Sequence, residues 1–105
     1  MSAGPDAYIG FAVRSGNALF GAESLLRARK PVYAVFCDAA LGKDGRKKLA
    51  KFAERNETEI HELPQGYLAD LLKRSGVKVI GICDPNLAQA AVKTLKGGSP
   101  SDGGK

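Results

Sequence analysis

The sequence predicts an α/β protein, a three-layer α/β/α sandwich built around a small four-stranded mixed sheet. Helix-like and strand-like segments alternate along the 105 residues, which is the pattern of a sheet covered by helices. Residues 32–37 and 77–83 are largely apolar runs, and such runs indicate strands that are buried on both faces. Length and composition predict one domain over residues 1–96. The Gly-, Ser- and Pro-rich residues 97–105 are predicted to form a disordered tail.

The first elements are predicted to be a helix, a very short strand and a second helix. Apolar residues recur at helical spacing after Asp6, which is expected to be the N-cap, and Gly16 is expected to end this helix. Residues 17–20 are predicted to form the short strand. The second helix is expected over residues 22–29, and Pro31 ends it because proline cannot continue a helix.

The first buried strand is followed by a basic helix, predicted over residues 44–56. Lys47, Lys51 and Arg55 recur every four residues and therefore lie on one line of this helix. We interpret the line as the solvated face of an amphipathic helix. On the sequence alone, Lys51 is therefore expected to contribute little to binding.

The second half of the chain supplies an edge strand, two helices and the second buried strand. Residues 58–63 are polar enough for the edge of a sheet. A helix is expected from Tyr67, with Gly76 as its terminator. Asp84 and Pro85 are an N-cap and a first helical residue, and they predict the start of the last helix.

Charge and composition narrow the class of function. The net charge is +5, and it comes from residues 1–55, which hold ten Lys/Arg against five Asp/Glu, whereas residues 56–105 hold six against six. Such one-sided charge is typical of a protein that binds a polyanion such as nucleic acid.

With neither an apolar run of membrane-spanning length nor a secretory leader, we expect a cytoplasmic protein that contacts no membrane. Cys37 and Cys83 are expected to be buried small hydrophobes.

The segment 15–30 is the expected working site. Gly16 and Gly21 allow tight turns or close approach of a ligand, and a helix that starts at Gly21 could offer backbone N–H groups to phosphate. The spacing of these two glycines matches a nucleotide-binding loop, but Ala22-Glu23 stands where that motif needs Lys and Ser/Thr, so nucleotide hydrolysis is not expected.

An acid/base enzyme is the weakest of the interpretations. Asp38 and Asp84 both follow apolar strands, and paired carboxylates at one sheet edge could exchange protons with a substrate. A turn residue and a helix cap explain the same two positions. His61 is the only histidine, which is poor support for a metal site or a catalytic triad. We therefore expect no enzyme, no metal and no cofactor.

Four segments, taken in order, resemble the ribosomal-protein superfamily of L-seven-Ae and L-thirty-e type, particularly its small bacterial YlxQ-like branch. Residues 8–16 resemble the opening helix "LGLARRAGK", and residues 20–28 resemble the glycine-led second helix. Residues 35–39 look like the strand end "LLAEDA", and residues 81–88 are close to "GITDPGFA". The resemblance covers residues 8–92 and implies an α/β/α sandwich in a family whose better known members bind kink-turn RNA.

The family's RNA-binding motif, G-x-N-E-x-x-K, lies where the first strand meets the second helix. Gly21 matches its glycine and Arg27 its lysine, while Glu23 stands for the asparagine and Ser24 for the glutamate. Asparagine offers a donor and an acceptor to base edges, whereas an ionised glutamate offers acceptors only and repels phosphate. The second contact loop of the family corresponds to residues 74–78.

We therefore expect a non-enzymatic RNA-binding protein that recognises structured RNA, with kink-turn RNA as one candidate. The alternative is a protein-interaction module that has kept this fold and lost specific RNA recognition. Basic residues are expected to contact phosphates, and the polar residues of the motif to read bases. The expected RNA-binding residues are Gly21, Glu23, Ser24, Arg27, Asn17, Arg14, Arg29, Lys30, Arg74 and Lys78.

Overall fold

The computed structural model describes residues 5–96, so the tail predicted at residues 97–105 lies outside the described residues. Helices and strands alternate, as the sequence predicts. In chain order the elements are α1 (Pro5–Arg14), β1 (Ala18–Phe20), α2 (Ala22–Leu26), β2 (Ala34–Asp38), α3 (Lys43–Asn56), β3 (Ile60–Leu63), α4 (Tyr67–Leu72), β4 (Val79–Ile82) and α5 (Pro85–Lys96).

The four strands form one mixed sheet in the order β1-β4-β2-β3. Strand β4 is antiparallel to both of its neighbours, β1 and β2, whereas β2 and β3 are parallel. The two apolar runs of the sequence are the central strands, and all residues of β2 and β4 are buried. The predictions of a four-stranded mixed sheet with β3 at its edge are confirmed.

Helices cover both faces of the sheet because side chains alternate along each strand. One face carries Ala34, Phe36, Ile80 and Ile82, which form a core with buried residues of α1, α4 and α5. The opposite face packs against α2 and α3 and has its own core, which contains Leu25, Val35, Cys37, Leu49, Phe52 and Val79. The α/β/α sandwich is therefore confirmed.

A glycine in β4 sets the distance between α2 and the sheet. A Cβ atom added at Gly81 would collide with Leu25 Cδ2 and would lie 3.0 Å from Val32 Cγ1. Leu25 is 2% exposed and Gly81 is buried, so the contact between them lies inside the core. Short side chains at such a point allow close packing between a helix and a sheet.

Helix α2 ends at Leu26 and does not continue to residue 29 as predicted. Arg27 is its C-cap, with φ −96° and ψ 0°, and its N–H donates to the carbonyls of Glu23 and Leu25. The chain must turn there because Val32 returns to pack on Gly81 beside Leu25. Arg29 and Lys30 therefore lie in the irregular segment that leads to β2.

Three other predicted boundaries are also wrong. Asp6 lies in the first turn of α1, not at its N-cap, because the helix already includes Pro5. Helix α4 ends at Leu72, where Lys73 adopts a left-handed φ of 55°, so Gly76 is not its terminator. Strand β4 begins at Val79, since residues 73–78 form a loop before it.

The two cysteines are free thiols, and only one is as buried as predicted. Cys37 lies in the core beneath α3, whereas Cys83 is half-buried at the end of β4. Burial raises the pKa of both thiols, and Lys30 partly opposes this rise in the pKa of Cys83.

Asp38 is a buried carboxylate that joins three segments at the end of β2. It is 3% exposed. Its Oδ1 accepts a hydrogen bond from Ala40 N at 2.6 Å, and its Oδ2 accepts one from Gly66 N at 2.8 Å. The Asp38 N–H donates to Lys78 O at 2.8 Å. The bonds from Ala40 and Gly66 lower the pKa of Asp38, because they stabilise the charged form.

The contact between Leu25 and Gly81 predicts a specific rescue. Gly81→Ala should lower the free energy of unfolding by about 1–3 kcal/mol through overpacking, and Leu25→Ala by about 2–5 kcal/mol through a cavity. The double variant should lose less than the sum of the two, because the new methyl group occupies space that Leu25 has vacated. Denaturant unfolding of the four proteins measures this, and strictly additive losses would contradict the contact.

Asp38 predicts a pH-dependent contribution to stability. Its folded pKa is lowered from an ordinary value of 3.8, so its stabilising effect is fully present above that pH and is lost as pH falls toward the folded pKa. Asp38→Asn should therefore unfold more easily than the wild type at pH 7, and the difference should shrink below pH ~4. Denaturant unfolding at pH 7 and pH 3 measures both, and a difference that does not change with pH would refute the role of the charge.

Candidate nucleic-acid interface

Helix α2 begins at a glycine that turns the chain from the sheet edge onto its face. Gly21 follows β1 directly and has φ 90° and ψ 147°, a conformation that residues with a Cβ atom rarely adopt. Its N–H donates to Val79 O at 3.0 Å, and its carbonyl accepts from Leu25 N at 3.2 Å. The start of α2 is therefore fixed to the beginning of β4.

A shallow groove lies where α2, α3 and the loop before β4 meet, and we call it the first groove. It encloses about 350 Å³. One wall is the start of α2. The second wall is the loop before β4 together with the first residue of β4, and the third wall is formed by the first turns of α3. Its lining residues are Gly21, Ala22, Glu23, Leu41, Gly45, Lys48, Gly76, Lys78 and Val79.

Two lysines and one carboxylate set the charge of the first groove. Lys48 Nζ lies 3.8 Å from Glu23 Oε2, and their side chains are 43% and 67% exposed. An ion pair this exposed adds little stability, but it offsets the negative charge that Glu23 would present to a phosphate. Lys78 is also exposed, so the lining side chains carry a net positive charge.

Arg74 lies over the end of β1, close to the start of α2. Its guanidinium carbon is 5.1 Å from the centroid of the Phe20 ring, which is within the range of a cation–π contact. Phe20 is half-buried and immediately precedes Gly21. The stacking places an exposed, permanently charged group beside the segment that carries Gly21.

Three other predicted residues lie at the opposite end of β1. Lys30 Nζ donates to Gly16 O at 3.5 Å, and Asn17 Nδ2 donates to Ser15 Oγ at 3.0 Å. The Arg14 guanidinium lies 5.1 Å from the Phe11 ring centroid. Strand β1 spans Ala18–Phe20, and it therefore separates these side chains from Gly21.

The structure thus divides the ten predicted residues instead of joining them in one site. Gly21, Glu23 and Lys78 line the first groove, with Arg74 beside β1. Ser24 is exposed on α2, and Arg27 caps the far end of that helix. Lys48 was missed, because no sequence motif marks it and only the packing of α3 beside α2 brings it to Glu23.

Helix α2 is too short for the strong N-terminal phosphate site that the glycine pattern predicts. It has five residues, so few peptide dipoles add along its axis. The positive charge at the first groove comes from side chains, above all from Lys48 and Lys78.

The structure does not bring Asp38 and Asp84 together, as the weakest of the interpretations required. Asp38 is the last residue of β2 and Asp84 lies two residues beyond β4. Because β2 and β4 are antiparallel, their carboxyl ends lie at opposite ends of the sheet. Asp84 Oδ1 accepts hydrogen bonds from Asn86 N at 2.8 Å and Leu87 N at 3.0 Å, which makes Asp84 the N-cap of α5. Within residues 5–96, no three His, Cys, Asp or Glu side chains are grouped so that they could hold a metal ion.

A larger cleft, of about 780 Å³, lies between the start of β3 and α5. Tyr33, which is 47% exposed, lies on its wall together with His61 and Lys93. None of the ten predicted RNA-binding residues lines this cleft.

Comparisons with known proteins bear on the fold alone. Neither the protein-family models nor the curated proteins give a match. A solved structure from Bacillus halodurans, of a protein with unknown function, superposes with a TM-score of 0.79 at 20% sequence identity, over 90% of this chain and 98% of that one. In the part of the chain that the structure describes, no helix is both long and apolar enough to cross a membrane.

The backbone of Gly21 predicts that a side chain there is costly. Gly21→Ala should lower the free energy of unfolding by about 1–3 kcal/mol, because φ 90° strains a residue with a Cβ atom. Gly42→Ala is the matched control, since Gly42 also precedes a helix but has φ −74° and open space around a Cβ atom. That variant should lose less than about 1 kcal/mol. Equal losses in thermal unfolding would contradict the assignment of strain to Gly21.

Proposed function

We propose that this chain is a non-enzymatic RNA-binding protein of the L-seven-Ae and L-thirty-e type that it resembles, acting in the cytoplasm. Its ligand is structured RNA, with kink-turn RNA as the first candidate. One observation carries the proposal. The glycine-led start of α2 and the loop before β4, which the resemblance implies as the two RNA contacts, converge on the first groove.

The charges of this region suit an RNA backbone. Lys48 and Lys78 line the first groove, and Arg74 lies beside it on Phe20. Cations at such positions release counterions from phosphates and supply affinity that depends strongly on salt. Arg74 also presents a planar guanidinium that can stack on an unpaired base.

Glu23 and Ser24 are the side chains that could read bases. Glu23 is two-thirds exposed in the first groove, and its carboxylate can accept hydrogen bonds from the amino groups of cytosine or adenine. Lys48 offsets the repulsion between this carboxylate and a phosphate. We expect recognition of RNA shape to persist, with base preferences that differ from those of the family motif.

A protein-interaction module on the same fold is the second candidate. Phe11 is 54% exposed and Tyr33 47% exposed, and both are large apolar side chains. Exposed aromatic residues favour contacts with protein partners. An RNA-binding protein should bind structured RNA with measurable affinity, whereas a protein-interaction module should not.

A titration against RNA tests the proposal. We expect tighter binding to a kink-turn RNA than to a plain duplex of equal length, and the preference should persist at higher salt. Lys78→Gln should weaken binding several-fold and reduce the slope of log affinity against log salt by about 1, because one phosphate contact is lost. Lys93→Gln, an exposed lysine on α5, is the control and should bind like the wild type.

Two results would count against it. Failure to bind either RNA would favour the protein-interaction module. Equal losses from Lys78→Gln and Lys93→Gln would mean that affinity comes from the net charge of the chain and not from the first groove.

A further inference from the structure

Most of the excess charge of the chain lies on α3. The helix carries six Lys/Arg side chains against two carboxylates, a net charge of +4, out of +5 for the whole chain. The packing of this helix then determines where that charge can act.

A second groove runs beside α2 along this helix, and we call it the α2–α3 groove. It encloses about 510 Å³ and is lined by Leu26, Lys47, Lys48, Ala50, Lys51 and Glu54. Lys48 also lines the first groove, so the two grooves meet at this side chain. Leu26 lies at the other end of α2, directly before Arg27. The α2–α3 groove therefore leads from the start of α2 toward Arg27.

The basic residues of α3 differ in their partners. Arg46 is occupied, because its Nη2 lies 2.9 Å from Glu62 Oε2 and its guanidinium also donates to the carbonyls of Ala39 and Leu41. Lys47 and Lys51 are exposed and form no ion pair with any residue from 5 to 96. Their charges remain available to a ligand.

We infer that the α2–α3 groove binds the sugar-phosphate backbone of an RNA strand that continues from the first groove. The inference rests on the proposed function and extends the contact surface of that same site. Lys47 and Lys51 are four residues apart, which is about 6 Å along the helix axis, a distance comparable with that between successive phosphates of one strand. Lys48 contacts the RNA strand where the two grooves meet, and Arg27 lies at the far end of the α2–α3 groove, next to Leu26.

The neighbours of these lysines distinguish the groove from an ordinary solvated helix face. Leu26 and Ala50 give the groove apolar lining on either side, one from each helix. Glu54 is the only carboxylate among its lining residues and lies three positions beyond Lys51, so it limits how far a polyanion can follow α3. Arg55, which continues the line of Lys47 and Lys51, is not among the lining residues.

Paired charge removals test this inference. Lys47→Gln/Lys51→Gln should weaken binding to the kink-turn RNA about tenfold and lower the salt slope by about 1.5, as expected for two lost phosphate contacts. The matched control is Arg55→Gln/Lys93→Gln, which removes the same charge outside both grooves and should change affinity less than threefold. Thermal unfolding confirms that both variants are folded.

The length of the RNA supplies a second readout. A kink-turn RNA whose flanking stem is shortened should bind the wild type and Lys47→Gln/Lys51→Gln equally, because the strand no longer reaches the α2–α3 groove.

Three outcomes would overturn the inference. If Lys78→Gln weakens binding and Lys47→Gln/Lys51→Gln does not, the α2–α3 groove is not used, although the proposed function stands. If both pairs of substitutions weaken binding equally, the effect is one of net charge. If the wild type binds no RNA, both the inference and the proposed function fail.

Discussion

The packing of Leu25 on Gly81 sets how closely α2 approaches the sheet and where the neighbouring grooves form. Because β4 has no side chain at this point, α2 lies close against the sheet, and Val32 returns over the same glycine. The helix is therefore held to five residues. The first groove lies between the start of this short helix and α3, and the α2–α3 groove lies between its end and α3; the two grooves meet at Lys48.

The architecture could be predicted because its signals are local. The apolar runs of β2 and β4 and the polar character of β3 follow from how each strand is buried. Helix ends were harder to predict, since Arg27 and Arg29 are good helix formers, yet α2 ends at Leu26 and the chain turns back so that Val32 packs beside Leu25 at Gly81. Likewise, the separation of Asp38 from Asp84 depends on strand direction, which the pattern of apolar residues does not record.

The candidate site was predictable only in part. The resemblance to a family located Gly21 and the loop before β4, which do converge. It could not locate Lys48, because the sequence does not distinguish this lysine from the other basic residues of α3. Only the packing of α2 beside α3 brings Lys48 to Glu23. Asn17 and Lys30 lie near Gly21 in sequence, but both are at the opposite end of β1 from Gly21. This extended strand of three residues is about 10 Å long. The proposed interface is consequently built from three separate elements of the chain rather than from one segment.

The most direct test of the proposed function is to map backbone amide NMR shifts during titration with kink-turn RNA. The largest changes should fall on Gly21, Glu23, Gly76 and Lys78, with smaller ones at Lys47 and Lys51. Amides around Tyr33 and α5 should change little, since the larger cleft lies away from both grooves. Changes concentrated at that cleft, or spread evenly over exposed lysines, would contradict the assignment of RNA binding to the first groove.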